Sequence, residues 1–308
     1  MRRKIIRQGA ATLTLSLPAK WAKETKVGPG DELYVEQKDS QLIISAEVIK
    51  RKLEKTIQIT EENKHDIRPI LTHLYRKGFD IITLKGINKA MMRQITELTK
   101  ELLLGFEVTE RGKDYCKITN ISEPTEEKYP VLLRRAFLII KETQQITYED
   151  SIHGNYSRMS EIEELRNQQD KFIIFCRRIL MGRSEKRALI HWELLTFLMH
   201  IQHGNYYLYK YAAENKIKKN KQISELLKEL QNYFSLYYDA FYKKDINLIH
   251  AITRKKDQYQ YGKCYDCLIN SRGKETVIFS HMRELFRLIQ IGTSPILSGL
   301  LRESLNLD

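Results

Sequence analysis

The chain has 308 residues, of which 42% are hydrophobic and 30% charged, enough to bury a core in two or three domains. Its formal net charge of +13 and its pI of about 9.4 favour a polyanionic partner such as DNA, RNA or an acidic membrane surface. No long apolar run and no signal-peptide pattern occurs, so we expect no membrane insertion, and the 4 scattered cysteines fit a reducing cytoplasm.

Residues 1–46 are the first of three stretches and predict a small β unit with one short helix. Hydroxyl and leucine side chains alternate strictly over residues 12–17, which is typical of a half-buried strand. Pro18 opens a predicted helix over residues 19–26, because the N–H that proline lacks would be unpaired there anyway. Turns are predicted at residues 27–31 and 38–40, and further strands at 32–36 and 41–45.

The apolar face of this β unit is expected to need a second copy of the chain. The residues assigned to this face are Leu13, Leu15, Leu17, Leu33, Val35 and Ile43. A unit of this size is too small to bury such a face alone, so the pattern predicts a homodimer.

Residues 47–123 predict a small α/β domain. Strands are expected at residues 56–59, 79–84, 106–110 and 115–121, and helices at 66–77 and 89–103. Both helices carry apolar side chains along one face, and glycine follows each of them. Strands that alternate with helices indicate a small α/β sandwich. Pro124 and the charged run 126–128 suggest a linker to the third stretch.

Residues 130–308 predict an all-α domain. Apolar side chains recur at helical spacing in two successive groups of three long helices, at about 130–215 and 220–303, which indicates a duplicated three-helix bundle. Ser160 and Glu163 have the spacing of a capping box. Asp245 is a candidate N-cap, and Pro295 is expected to kink the last helix.

The order of motifs in residues 1–46 resembles a known family. The motifs are Arg3-Lys4-Ile5, Gln8-Gly9, the strand that ends in Leu17-Pro18, Trp21, the Val27-Gly28-Pro29-Gly30-Asp31 turn and Val35. In this order they resemble the SpoVT/AbrB/MazE family of swapped-hairpin DNA-binding domains. The resemblance implies that two chains interleave their hairpins into one barrel, with basic residues of the first strand and loop facing DNA.

The residue types themselves also favour DNA contact. Clustered Lys and Arg side chains can neutralise phosphates, and hydroxyl or amide groups can reach base edges or phosphate oxygens. The alternative is that these charges only solvate a small dimer, but the family pattern makes DNA contact the better interpretation. The candidate DNA-binding residues are Arg2, Arg3, Lys4, Arg7, Gln8, Thr12, Thr14, Lys20 and Lys23.

The helical stretch is similar to the PhoU family, which regulates phosphate uptake and has two tandem three-helix bundles. Fusion of an AbrB-type head to a PhoU-like tail through a small α/β segment is an arrangement found in archaeal proteins. PhoU proteins bind metal clusters through carboxylates on their third helices, whereas this chain has no acidic residue in segments 199–205 and 290–295. His200 and His203 have a spacing that can hold a metal, but such a pair is more often structural or solvated. We therefore expect no metal and no cofactor.

The remaining motifs do not indicate an enzyme. Cys264 and Cys267 form a single CxxC pair, and a structural zinc site needs two such pairs, so we interpret both as ordinary helix cysteines. No phosphate-binding glycine loop and no grouping typical of nucleophilic catalysis stands out. The tyrosines between residues 206 and 242 are expected to pack between helices.

The sequence therefore predicts a multidomain protein with a swapped-hairpin β-barrel half, a small α/β domain and a PhoU-like helical domain. The favoured function is a cytoplasmic, homodimeric DNA-binding transcriptional regulator, with a link to phosphate uptake that the resemblance alone implies. The helical part would sense a signal or bind a partner, including an acidic protein. One alternative is a PhoU-like protein that restrains a phosphate transporter or sensor kinase, with the first domain serving only to dimerise. A weaker alternative is an antitoxin, as in the MazE branch.

Overall fold

The computed structural model describes residues 3–9, 12–38, 41–46, 52–122, 127–181 and 185–304. These residues are mostly helical with small β-sheets, which confirms the predicted α-rich chain with a smaller β part. The chain separates into two compact units, Met1–Arg51 and Lys52–Asp308. The assignment of the second unit to two domains stays a prediction.

The first unit consists of two hairpins and one short helix. Its elements are β1 (Ile5–Gln8), β2 (Thr12–Leu15), α1 (Ala19–Thr25), β3 (Tyr34–Lys38) and β4 (Gln41–Ser45). Strand β1 has no alternating pattern and was not predicted as a separate element. The described strands of this unit pair as β1 with β2 and β3 with β4, and they do not close into a barrel.

Local chemistry fixes the turn between α1 and β3. Lys26 ends α1 in the left-handed conformation, with a φ of 57°. The Asp31 carboxylate accepts a hydrogen bond from the Gly28 backbone N–H at 2.7 Å, and Gly30 has a φ of 96°, a conformation that favours glycine. This glycine-aspartate turn lies where the sequence predicted it. Of the other predicted turn, residues 39 and 40 lie outside the described residues, and Lys38 belongs to β3.

The second unit begins with a mixed sheet that two helices cover. The elements are β5 (Glu54–Gln58), α2 (Ile67–Arg76), β6 (Ile81–Lys85), α3 (Lys89–Leu102), β7 (Phe106–Arg111) and β8 (Tyr115–Asn120). The strand order is β5-β6-β8-β7, in which β5 and β6 are parallel and the other pairs are antiparallel. Helix α2 connects the two parallel strands, because a parallel pair requires a crossover connection.

The rest of the second unit is helical. Its helices are α4 (Lys128–His153), α5 (Met159–Leu180), α6 (Glu185–Glu214), α7 (Lys221–Lys243), α8 (Ile246–Arg254), α9 (Cys264–Asn270), α10 (Lys274–Ile291) and α11 (Thr293–Ser304). A π-helical segment, Asp257–Lys263, joins α8 to α9. Most of the predicted linker, residues 123–126, lies outside the described residues, but Lys128 belongs to α4.

Three predictions about helix ends have different outcomes. Asp245 is confirmed as a cap, because its side chain accepts a hydrogen bond from the Asn247 N–H at 2.9 Å. The capping box at Ser160 is wrong, since α5 begins one residue earlier and no side chain caps its first turn. The break in the last helix lies at Gly292, and Pro295 is in the first turn of α11, where proline is tolerated.

The sheet and the helical bundle of the second unit are held together at a buried arginine. Arg178 of α5 donates from Nη2 to Asp80 Oδ1 at 2.6 Å and from Nη1 to the carbonyls of Tyr75 and Phe79. Its guanidinium also lies over the Phe106 ring, 4.9 Å from the centroid. No described helix is long and apolar enough to span a membrane.

Candidate nucleic-acid interface

The register of the β1–β2 hairpin separates its side chains into two faces. Ile5 pairs with Leu15 and Arg7 with Leu13, while Ile6 pairs with Thr14 and Gln8 with Thr12. Residues that face each other across an antiparallel pair point to the same side of the sheet. One face therefore carries Ile5, Arg7, Leu13 and Leu15, and we call it the leucine face. The opposite face carries Ile6, Gln8, Thr12 and Thr14, and we call it the amide-hydroxyl face.

The amide-hydroxyl face brings together three of the predicted DNA-binding residues. The Thr14 hydroxyl donates to Gln8 Oε1 at 2.9 Å, and Thr12 lies beside them on the exposed surface. This bond fixes the orientation of the Gln8 amide, so that its NH₂ group is the end available to an acceptor. The Gln8 amide and the Thr12 hydroxyl can donate to phosphate oxygens, and the Thr14 oxygen can accept from a base edge.

The predicted basic residues are exposed but do not all lie on that face. Arg3 and Lys4 precede β1, while Arg7 lies on the leucine face. Arg2 lies outside the described residues. The strand pairing places Arg7 on the opposite face of the hairpin from Gln8 and Thr12. Exposed cations retain their hydration, so phosphate contacts from them are electrostatic and salt-dependent.

Helix α1 presents the two remaining candidates, Lys20 and Lys23, on its exposed surface. Lys20 Nζ lies 3.9 Å from Glu24 Oε1, with side-chain exposures of 88% and 64%, so this ion pair is weak and readily exchanged for a phosphate. Lys23 lies in the last turn. Trp21 is half-buried, and its carbonyl accepts a hydrogen bond from the Thr25 hydroxyl at 2.7 Å.

The first unit also exposes an unusual amount of apolar surface. Leu13 is 69% exposed, Leu42 66% and Ile5 65%, and no residue between 3 and 46 whose exposure the structure describes is buried. In the second hairpin, Val35 shares a face with Leu42 and Ile44, and Ile43 points to the opposite face. The predicted grouping of Val35 with Ile43 is therefore wrong, because the hairpin register alternates between them.

One histidine of the pair, His203, contacts a carboxylate that the sequence did not predict as its partner. His203 Nε2 lies 2.8 Å from Asp170 Oδ1, and Asp170 Oδ2 accepts from Arg68 Nη2 at 3.3 Å. The three residues come from α6, α5 and α2, so no local spacing could have connected them. Within the described ranges, no three His, Cys, Asp or Glu side chains are grouped as metal ligands.

Cys116, Cys176 and Cys264 are buried, and Cys267 is half-buried. Cys264 and Cys267 both lie on α9, as the helix interpretation requires, and neither is in a disulfide. Burial raises the pKa of the Cys264 thiol to about 12 and that of Cys116 to about 11. Both thiols are therefore protonated at neutral pH, and a thiol in that state is a poor nucleophile and metal ligand.

Four of the eight tyrosines between residues 206 and 242 are buried between helices, whereas Tyr207 is 51% and Tyr242 37% exposed, so the packing prediction is confirmed only in part. Tyr233 and Tyr237 of α7 are buried, and the Tyr233 ring lies 5.3 Å from that of Phe286 in an edge-on arrangement.

No protein-family model, curated protein or solved structure matches this chain.

Proposed function

We propose that this chain is a cytoplasmic, homodimeric DNA-binding transcriptional regulator. In this proposal the first unit contacts duplex DNA, and the helical part of the second unit receives a signal or binds a partner. One observation carries the proposal. The first unit exposes strand faces that are too apolar for water, next to an exposed basic segment and an amide-hydroxyl surface.

The apolar surface supports dimerisation through the first unit. Contiguous exposed apolar side chains mark interaction sites, and the occupant that fits here is a second copy of the same unit. Two identical hairpins offer each other the same leucine face, which makes the surface self-complementary. The resemblance to swapped-hairpin domains, the predicted link to phosphate uptake and the barrel formed by two chains belong to this proposal.

The polar surface supports DNA as the ligand. A dimer doubles the basic segment of Arg3 and Lys4, which precedes β1, and places two copies about a two-fold axis, as duplex half-sites require. The chain-wide surplus of +13 adds long-range attraction to a polyanion.

The salt dependence of DNA binding by the full-length chain tests the proposal. Arg3→Ala/Lys4→Ala should weaken binding to all sequences and reduce the slope of log K against log salt by about 0.9 for each lost phosphate contact. The matched control is Lys89→Ala/Arg93→Ala, which removes the same number of charges from exposed positions of the second unit. The control should bind as the parent does.

Equal DNA binding by the Arg3→Ala/Lys4→Ala variant and the parent would contradict the proposal. A parent that dimerises but has no salt-dependent affinity for duplex DNA would contradict it too. That second result would favour the alternative in which the first unit serves only to dimerise.

A further inference from the structure

A surface cavity of the second unit lies between the end of α4, the start of α7 and the connection from α6 to α7. Its volume of about 500 Å³ lies within the range of roughly 300–1,000 Å³ that is typical of small-molecule sites. Tyr148 and Ile152 of α4 form its apolar wall. The polar part of the lining consists of three lysines, two glutamates and one serine, namely Lys219, Lys221, Lys228, Glu225, Glu229 and Ser224.

Close packing of the three elements positions this lining. Gly154 caps the end of α4 in the left-handed conformation, with a φ of 66°, and a Cβ atom there would collide with the Lys219 backbone nitrogen. The connection that carries Lys219 therefore passes directly against the end of α4. Across the contact between α4 and α7, the hydroxyl of the buried Ser151 donates to Ser224 Oγ at 3.0 Å. The backbone of the cavity is therefore fixed by tertiary contacts.

Both glutamates of the lining have lysine partners. Glu225 Oε1 lies 3.7 Å from Lys221 Nζ. Glu229 Oε1 accepts a hydrogen bond from Lys263, which comes from the π-helical segment and is not part of the lining. The two carboxylates are therefore balanced without the other two lysines of the cavity.

Those two lysines, Lys219 and Lys228, are exposed and lack a carboxylate partner. Lys228 Nζ donates to the neutral amide oxygen of Gln231 at 3.3 Å and lies 5.0 Å from the centroid of the Tyr148 ring. A cation over an aromatic face is attracted by the ring, so Tyr148 holds this ammonium group at the apolar wall. Within the described ranges, no carboxylate lies within 4.0 Å of the ammonium group of either lysine. The cavity therefore combines two positive charges without counterions and one apolar wall.

We propose that this cavity binds a small organic phosphate, specifically a phosphate monoester with an aromatic group. Lysine binds phosphate as a point charge, and a monoester, which is largely dianionic at neutral pH, balances Lys219 and Lys228. The aromatic group would lie against Tyr148 and Ile152, because that contact removes apolar surface from water.

This ligand site is separate from the DNA-binding surface of the first unit. The role of the ligand as the signal that the helical part receives rests on the proposed function. Its binding can be measured without DNA, so the ligand site and the DNA-binding function can fail separately.

Calorimetric titration of the full-length chain with phenyl phosphate tests the proposal. Phenyl phosphate carries both parts of the proposed ligand, so it should bind saturably at constant ionic strength. Glycerol phosphate lacks the aromatic ring, and inorganic phosphate has no organic group, so both should bind more weakly. This comparison separates recognition of the ring from attraction of any phosphate.

Matched substitutions locate the bound phosphate. Lys219→Met/Lys228→Met should weaken binding of phenyl phosphate at least about tenfold, because charge-assisted hydrogen bonds to the phosphate are lost. Lys89→Met/Lys113→Met removes the same number of charges from exposed positions elsewhere in the second unit and should leave binding unchanged.

A third variant tests the apolar wall. Tyr148→Leu should weaken binding of phenyl phosphate more than binding of inorganic phosphate, because the ring of the ligand loses its aromatic contact. All variants are compared as folded proteins, as judged by circular dichroism.

Three results would overturn the proposal. The first is the absence of saturable binding of phenyl phosphate. The second is equal weakening by the two double variants, or no weakening by Lys219→Met/Lys228→Met. The third is equal affinity for phenyl phosphate and inorganic phosphate, because the apolar wall would then contribute nothing to recognition.

Discussion

The two units of this chain contain similar apolar strands but differ in what covers them. In β6 of the second unit, Ile82 and Leu84 are 0% exposed, because α2 and α3 pack on the sheet and strands flank β6 on both sides. In β2 of the first unit, Leu13 and Leu15 are 69% and 48% exposed, because one partner strand and one short helix cannot cover them. The comparison teaches that an apolar pattern predicts a strand, whereas burial depends on which elements lie against it.

The largest effect is expected from a charge placed on the exposed leucine face of the first unit, compared with a charge at an equally exposed leucine of the second unit. Leu13→Asp should disrupt the homodimer, because two carboxylates would be buried per dimer at a cost of several kcal/mol each. Sedimentation velocity of the full-length chain should show a monomer. The control is Leu189→Asp on α6, where the leucine is exposed to the same extent, 70% against 69%. A dimer in Leu13→Asp, or a monomer in both variants, would contradict dimerisation through the leucine face.

A second substitution tests how the second unit is held together. Asp80→Ala leaves the buried Arg178 without its carboxylate and should lower the free energy of unfolding by about 3–5 kcal/mol. Chemical denaturation followed by circular dichroism measures the loss. Asp80→Ala/Arg178→Met should recover part of it, because an apolar side chain no longer requires a partner. If the double variant is less stable than Asp80→Ala, the contribution of Arg178 is packing rather than charge pairing.

A third, smaller effect concerns a hydrogen bond between helices. The Tyr209 hydroxyl donates to Asp150 Oδ2 at 2.5 Å and accepts from the Arg158 backbone N–H at 2.8 Å. Tyr209→Phe should lower the free energy of unfolding by about 1–3 kcal/mol, since both partners lose a bond in a buried site. Tyr207→Phe is the control, at a position that is 51% exposed. Equal stability of the two variants would show that water replaces the Tyr209 hydroxyl.

The smallest expected effect is a pH dependence of the free energy of unfolding, which arises from the second unit. Burial lowers the pKa of His281, and the first unit contains no histidine. The unfolded chain therefore binds more protons than the folded chain just below pH ~6.5, and stability falls as the pH decreases through that value. His281→Gln should reduce this loss between pH 7.5 and 5.5 by less than ~1 kcal/mol. An unchanged pH profile would show that His281 is hydrated in the folded chain.

The candidate interface shows which features of the first hairpin a local sequence pattern can predict. The alternation of Thr12, Leu13 and Thr14 predicted a strand with two chemically different faces, and the structure confirms both. The side on which Arg7 lies could not be predicted, because it depends on the register with β2 and on a strand that has no alternating pattern of its own.

The sequence by itself determined the α-rich composition, most element positions, the glycine-aspartate turn and the apolar character of the first unit. These follow from periodicity and from residue-specific backbone preferences, which act over a few neighbouring residues. Tertiary structure alone decided the face of Arg7 and the Asp80–Arg178 pair. Those contacts join residues that lie on different elements, and their energies depend on burial, which no local pattern specifies.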